Sequence, residues 1–221
     1  MDLLLPLFDD AHRDLAAKVK RLCDDRLVPL TATELEDPAA AVVEYVALLG
    51  QEGLFDPALG KALEGEAPRP ELRSMCVVRT LLARTSGMCD GVYGAQVQGM
   101  YPLALCGNDD QRAIFLPGMA AGQQVVGLGL LDGGEPLLAT SKPGGYTLSG
   151  SKTLVPLAPI ADQFVVLARH RPNVPNEVPR FSMFIVEAGL VTVQSEGFVS
   201  PLPVGVVNFD NVEVEAESRL G

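Results

Sequence analysis

Two periodicities divide the chain. From Phe8 to about Gly122 apolar residues recur every three or four positions, the spacing that lines one face of a helix, whereas after Gly122 they alternate with polar residues as in a half-buried strand. Leu15, Val19 and Leu22 share a face with Lys18, Lys20 and Arg21 off it, and Pro29 lies just beyond, which predicts an amphipathic helix over Phe8–Leu27. A second helix is predicted over Pro38–Gln51, with Gly53 as its breaker. The helical period returns from Glu71 through Met75, Val78, Leu81 and Leu82, and again from about Val92 to Leu105, where Gly94, Ala95 and Gly99 leave room for a close neighbour. Asn108 is placed to cap a further helix whose first turn holds Asp109 and Asp110 at the positive end of its dipole. Asp56–Pro70 is polar and proline-bounded and reads as a loop.

Beyond Gly122, strands are predicted near Val125–Leu130, Gly145–Ser151, Gln163–Arg169, Arg180–Glu187, Val191–Gln194 and Val204–Val214. Asp132-Gly133-Gly134 and Pro143-Gly144-Gly145 mark loop edges, and Arg171–Pro179, with three prolines, reads as an exposed turn. The pattern predicts an α+β chain: an all-α domain over residues 1–122, then a small antiparallel β-barrel or sandwich over residues 123–221.

Composition narrows the function. With 48% hydrophobic residues the chain can bury a core, and no apolar run approaches the ~20 residues that span a bilayer. The N-terminal MDLLLPLFDD lacks the basic region of a signal peptide, so a cytoplasmic location is expected. A formal charge of −11 repels nucleic acid and anionic membrane surfaces. Cys23, Cys76, Cys89 and Cys106 are scattered without metal-ligand spacing and read as reduced core thiols. His12 and His170 lie far apart without nearby ligand partners, so no metal site is expected.

Several blocks, in order along the chain, carry a family resemblance. They are HRDLAAKVKRLCDDRLVP from His12, Leu48-Leu-Gly-Gln-Glu-Gly-Leu-Phe55, the segment from Gly107 through Gln111 and Leu116-Pro117 to Gly122, Tyr146-Thr-Leu-Ser-Gly-Ser-Lys152, Ala161-Asp162 into Arg169, Phe181–Glu187, and Phe209-Asp-Asn-Val-Glu-Val through Leu220-Gly221. Together they resemble the N-terminal helical and middle β-domains of acyl-CoA dehydrogenases. The resemblance implies that two loops of the β-domain form one wall of an FAD site. The first, Thr-Glu-Pro-x-x-Gly-Ser-Asp in the family, corresponds to Leu131, Asp132 and Gly133, and the Gly-Ser-Asp part is absent, since Gly134-Glu135-Pro136-Leu137-Leu138 follows. The second, Trp-Ile-Thr/Ser-Asn, corresponds to Leu154, Val155 and Pro156, which removes an aromatic surface, a hydroxyl and a backbone N–H.

The resemblance further implies a C-terminal four-helix bundle that supplies the general base, much of the flavin adenine binding and the oligomer contacts. No residue among the 221 matches that base. Asp132 and Glu135 are the acids of the flavin-side loops, and they read as a solvated turn rather than as catalytic groups. Three readings follow: a half-length subunit acting on an acyl-CoA or carrier-bound thioester with a homologous or complementary protein partner; a catalytically inactive interaction or structural protein; and a stand-alone flavin module.

Overall fold

The computed structural model describes residues 7–172, 178–197 and 202–221. Among these residues eight α-helical segments come first: α1 (Asp10–Leu22), α2 (Val28–Leu30), α3 (Thr33–Glu36), α4 (Pro38–Gln51), α5 (Asp56–Leu59), α6 (Leu72–Thr85), α7 (Gly87–Cys106) and α8 (Asp109–Ala120). Seven strands follow: β1 (Val126–Gly129), β2 (Leu138–Lys142), β3 (Gly145–Pro156), β4 (Gln163–His170), β5 (Phe181–Glu187), β6 (Thr192–Glu196) and β7 (Val204–Glu215).

Local chemistry sets the helix ends. Asn108 and Gln111 form a reciprocal capping box on α8, Ser86 caps α7, and Asp37 caps α4 with Pro38 in its first turn. The first predicted helix is broken differently from expectation: α1 passes into a π-helical turn at Cys23–Leu27, and Pro29 sits inside the short α2 rather than ending the run. The segment expected to be a polar loop, Asp56–Pro70, holds α5 and a 3₁₀ turn whose Ala58, Leu59 and Ala62 are buried.

The strands form one curled sheet in the order β1-β4-β2-β3-β7-β6, with β5 on the other side of β4. Most pairings are antiparallel, but β1 and β2 both run parallel to β4, so the sheet is mixed. One of its faces and the helices enclose a shared core that includes Val126, Val165 and Ile185. The curl encloses a second, built from residues such as Leu148, Phe164, Phe184 and Phe209. Each fully buried Phe or Leu contributes roughly 1.5–3 kcal/mol. Of the Arg171–Pro179 turn, residues 173–177 lie outside the described residues, as do residues 1–6 of the N-terminal segment.

Helices and sheet meet at α7. A Cβ on Gly99 would lie 2.7 Å from Val126 Cγ1, so the helix can seat this closely on β1 only with glycine there. Beside it Gln96, wholly buried, uses all its polarity on backbone: its Oε1 accepts from Val126 N at 3.1 Å, and its Nε2 donates to Gln124 O at 2.8 Å and Met119 O at 3.3 Å.

His12 has partners after all, one in its own helix cap and one brought by folding. Its Nδ1 meets Asp9 at 2.6 Å and its Nε2 meets Glu71 at 3.2 Å, tying α1 to the start of α6. His170 likewise meets Ser182 Oγ at 2.8 Å across the β4–β5 pair. Cys23 and Cys89 are core residues, whereas Cys76 and Cys106 are exposed.

Glu71 also caps α6 through Ser74 N. Burial alone would raise its pKa, but hydrogen bonds from Ser74, Arg73 and His12 outweigh burial and hold it down at about 2. A depressed carboxylate stabilises the fold above its ordinary pKa of 4.5 and loses that contribution as pH falls toward 2. The stability difference between the native chain and Glu71→Gln, measured by urea unfolding, is therefore expected to be constant above pH 5 or so and to shrink across that acid window. A difference that instead grew on acidification would refute this assignment.

Candidate flavin-side surface and apolar groove

The two loops singled out in the sequence are brought together by β3. Thr153 N donates to Leu131 O at 2.9 Å and Gly133 N to Ser151 O at 3.1 Å, so the turn after β1 is zipped along β3. A Cβ at Gly133 would strike the Ser151 hydroxyl, which would have to rotate away. Strand β3 runs on through Pro156 rather than ending near Ser151, and its register against β7 shifts between Lys152 and Val155. Leu154 sits at that bulge with φ of 52° and points outward, 46% exposed, while Val155 turns into the core of the curl. Of the six residues, then, Leu131 and Leu154 present exposed apolar side chains, Asp132 and Gly133 line the turn, Pro156 is half-buried, and Val155 can offer only its backbone.

One residue of this surface carries no role in the sequence reading. Lys152 is 1% exposed, and its Nζ donates to Asp132 Oδ1 at 2.6 Å and to Leu130 O at 3.1 Å. Asp132 also accepts from Leu137 N at 3.0 Å. Burial acts to raise the Asp132 pKa, but the Lys152 and Leu137 hydrogen bonds and the lysine's charge together bring it below the ordinary carboxylate value. Asp132 is thus a charged clamp on its own loop and a poor proton acceptor, and Glu135 stands exposed on the same loop. The signal for Lys152 was present in the strand's alternation, which places it on the same inward face as Leu148. A lysine there needs a carboxylate nearby.

The strand that leads into this loop also borders a groove of about 480 Å³. Its walls are Ala58 of α5, Pro70, Met75 of α6, Val97 and Tyr101 of α7, and Leu128 of β1. Gln98 is the only side-chain amide among its lining residues. Two and three residues beyond Leu128 stand Leu130 and Leu131, 47% and 56% exposed. Among the described residues no group of three His, Cys, Asp or Glu side chains is placed to hold a metal ion, and no helix is long and apolar enough to cross a membrane.

This arrangement of helical layer, mixed sheet and paired loops has known counterparts. The family model described as "Acyl-CoA dehydrogenase, N-terminal domain" matches residues 9–123, just over half the chain. The chain belongs to the acyl-CoA dehydrogenase family. Among characterised members, a 3-(aryl)acrylate reductase of Clostridium sporogenes is 23% identical over 97% of this chain and 59% of its own length. A benzylmalonyl-CoA dehydrogenase of Aromatoleum aromaticum is 28% identical over 96% of this chain and 57% of its own. A glutaryl-CoA dehydrogenase from Mycobacterium smegmatis, solved in complex with FADH2, superposes with a TM-score of 0.79 at 21% identity, covering 96% of this chain and 56% of that one. A glutaryl-coenzyme A dehydrogenase in its glutaryl-CoA complex superposes with a TM-score of 0.81 at 20% identity over 100% and 58%. These structural likenesses carry the fold. The chain spans less than three-fifths of the length of each of these relatives.

Proposed function

We propose that this chain forms the helical and sheet walls of a flavin-dependent acyl-thioester dehydrogenase, completed by helical polypeptide outside these 221 residues. The observation that carries the proposal is one of continuity: a groove with almost wholly apolar walls ends on β1, and two residues further the same strand presents the turn that is zipped to β3. An acyl chain in the groove would bring its thioester end toward that turn. The domain division near Gly122 fits the same proposal, with α8 ending at Ala120 and β1 starting at Val126.

The turn and the β3 bulge fit the flat face of an isoalloxazine. Leu131 and Leu154 offer apolar contact, and the glycine at 133 keeps the turn low against Ser151. FAD, when bound, supplies the hydride acceptor. The residues of this chain hold and shape the surface: Lys152 fixes Asp132, Asp132 fixes the Leu137 N–H, and the leucines exclude water. Because Asp132 is tied down and held below its ordinary pKa, the base that takes the substrate's α-proton belongs to the completing polypeptide. Three exposed leucines, Leu130, Leu131 and Leu154, within two paired turns are surface of the kind that a protein neighbour covers.

A second reading is favoured by the same surface. Leu154 and Pro156 supply neither a hydroxyl nor, at Pro156, a backbone N–H toward the polar edge of a flavin, as expected of a family member that survives as an inactive interaction protein. Purification of the native protein with its accompanying polypeptides separates the two. The dehydrogenase reading expects a yellow complex whose flavin absorbance bleaches with an acyl-CoA under anaerobic conditions. A complex that stays colourless with added FAD sinks it in favour of the second reading.

A further inference from the structure

If the thioester lies at the turn after β1, as the proposed function has it, the groove beside β1 decides which acyl groups can follow. Exposure separates its floor from its rim. Ala58 and Val97 line the groove yet are only 1% and 8% exposed, so they lie deepest, whereas Leu72, 66% exposed, and the exposed Gln98 stand at the mouth. Ala58 belongs to α5, which packs against both α6 and α7, so the smallest side chain of the walls is fixed from two sides. The volume of about 480 Å³ falls within the roughly 300–1,000 Å³ of small-molecule sites.

Charge is absent from the walls. Among the described residues, none that lines the groove is Asp, Glu, Lys, Arg or His. The basic residues next to Pro70 and Leu72 in sequence stand outside it. Arg73 holds Glu71 at 3.0 Å and donates to Leu7 O at 3.1 Å, and Arg69 is exposed. The polar groups that remain, the Tyr101 hydroxyl and the Gln98 amide, are neutral. A carboxylate drawn into such a groove gives up its hydration without gaining an opposite charge, and an unpaired charge is far costlier to bury than a neutral polar group. A hydrocarbon gains instead, by about fourfold in affinity for each methylene buried.

We propose that the groove accepts acyl groups whose far end is an uncharged hydrocarbon, that it rejects acyl groups carrying a second carboxylate, and that Ala58 sets how large the hydrocarbon can be. Leu128 stands on the strand that leads to the turn, so a short acyl group stays beside it, whereas a longer one must spread over the floor at Ala58 and Val97. A larger side chain at position 58 takes up that floor. It therefore penalises long acyl groups and spares short ones.

The test is calorimetry on the native protein, purified with its accompanying polypeptides, using octanoyl-CoA and suberyl-CoA, which differ only in a terminal methyl against a terminal carboxylate. At neutral pH octanoyl-CoA is expected to bind at least about a hundredfold more tightly. Ala58→Leu should weaken octanoyl-CoA about tenfold and butyryl-CoA less than about twofold. Leu72→Arg places a cation at the exposed mouth and should tighten suberyl-CoA about tenfold; it carries the test if circular dichroism shows that Ala58→Leu does not fold. Equal binding of the two eight-carbon probes overturns the proposal. So do absence of octanoyl-CoA binding and a folded Ala58→Leu variant that binds octanoyl-CoA as the native chain does. The dehydrogenase reading fails separately: a colourless complex with the expected probe preference sinks that reading and keeps the selectivity of the groove. A yellow complex that oxidises suberyl-CoA as readily as octanoyl-CoA does the reverse.

Discussion

Replacement of Gln96 by leucine is expected to cost about 3 to 5 kcal/mol of unfolding free energy, because it strands Val126 N, Gln124 O and Met119 O in the core. Those three backbone groups belong to the end of α8, the turn after it and the first residue of β1, so one side chain holds the junction between the helices and the sheet. Leucine fills nearly the same volume, and the loss is therefore one of polarity rather than packing. Gln98, two residues on and exposed, is the internal control: Gln98→Leu should change stability by less than about 0.5 kcal/mol. Urea unfolding of both variants measures the contrast. Equal small effects would mean that water replaces Gln96 at the junction, contrary to its full burial.

The second large effect concerns the clamp on the turn after β1. Asp132→Ala leaves the Lys152 ammonium buried with one carbonyl partner and should cost about 2 to 4 kcal/mol. Lys152→Met should cost less, because Asp132 is 34% exposed and can be hydrated once its partner is gone, while methionine keeps the buried volume filled. The double variant Asp132→Ala/Lys152→Met should recover most of what Asp132→Ala loses. Strictly additive losses in this cycle would show that the two side chains do not depend on each other.

Much of the fold was legible because it rests on periodicity. Pro38–Gln51 is a helix to the residue, and the capping of α8 by Asn108 follows from chemistry local to a few residues. Strand β2 was not legible: Leu138–Lys142 is a short, largely polar stretch between two glycine-marked turns, and its place beside β4 is set by tertiary pairing alone. The candidate site divides in the same way. Alternation along β3 carries Lys152 inward, but continued alternation would also bury Leu154 and expose Val155. The structure reverses those two at a bulge where a leucine adopts a left-handed backbone conformation, and nothing in a leucine announces that. Glu71 as a partner of His12 and Asp132 as the partner of Lys152 were hidden because they reach those residues from 59 and 20 positions away, whereas Asp9 lies only three positions from His12.

The central claim is that the turn at Leu130–Gly133 and the β3 bulge at Lys152–Val155 together form the face on which a flavin lies. Hydrogen exchange of the complex between this chain and its completing polypeptide, with and without FAD, tests it most directly. Slower exchange of the amides in these two segments on adding FAD, with those of Asp110–Phe115 unchanged, is the expected result. FAD bound while both segments exchange at their original rates, with protection appearing elsewhere on this chain, would contradict it.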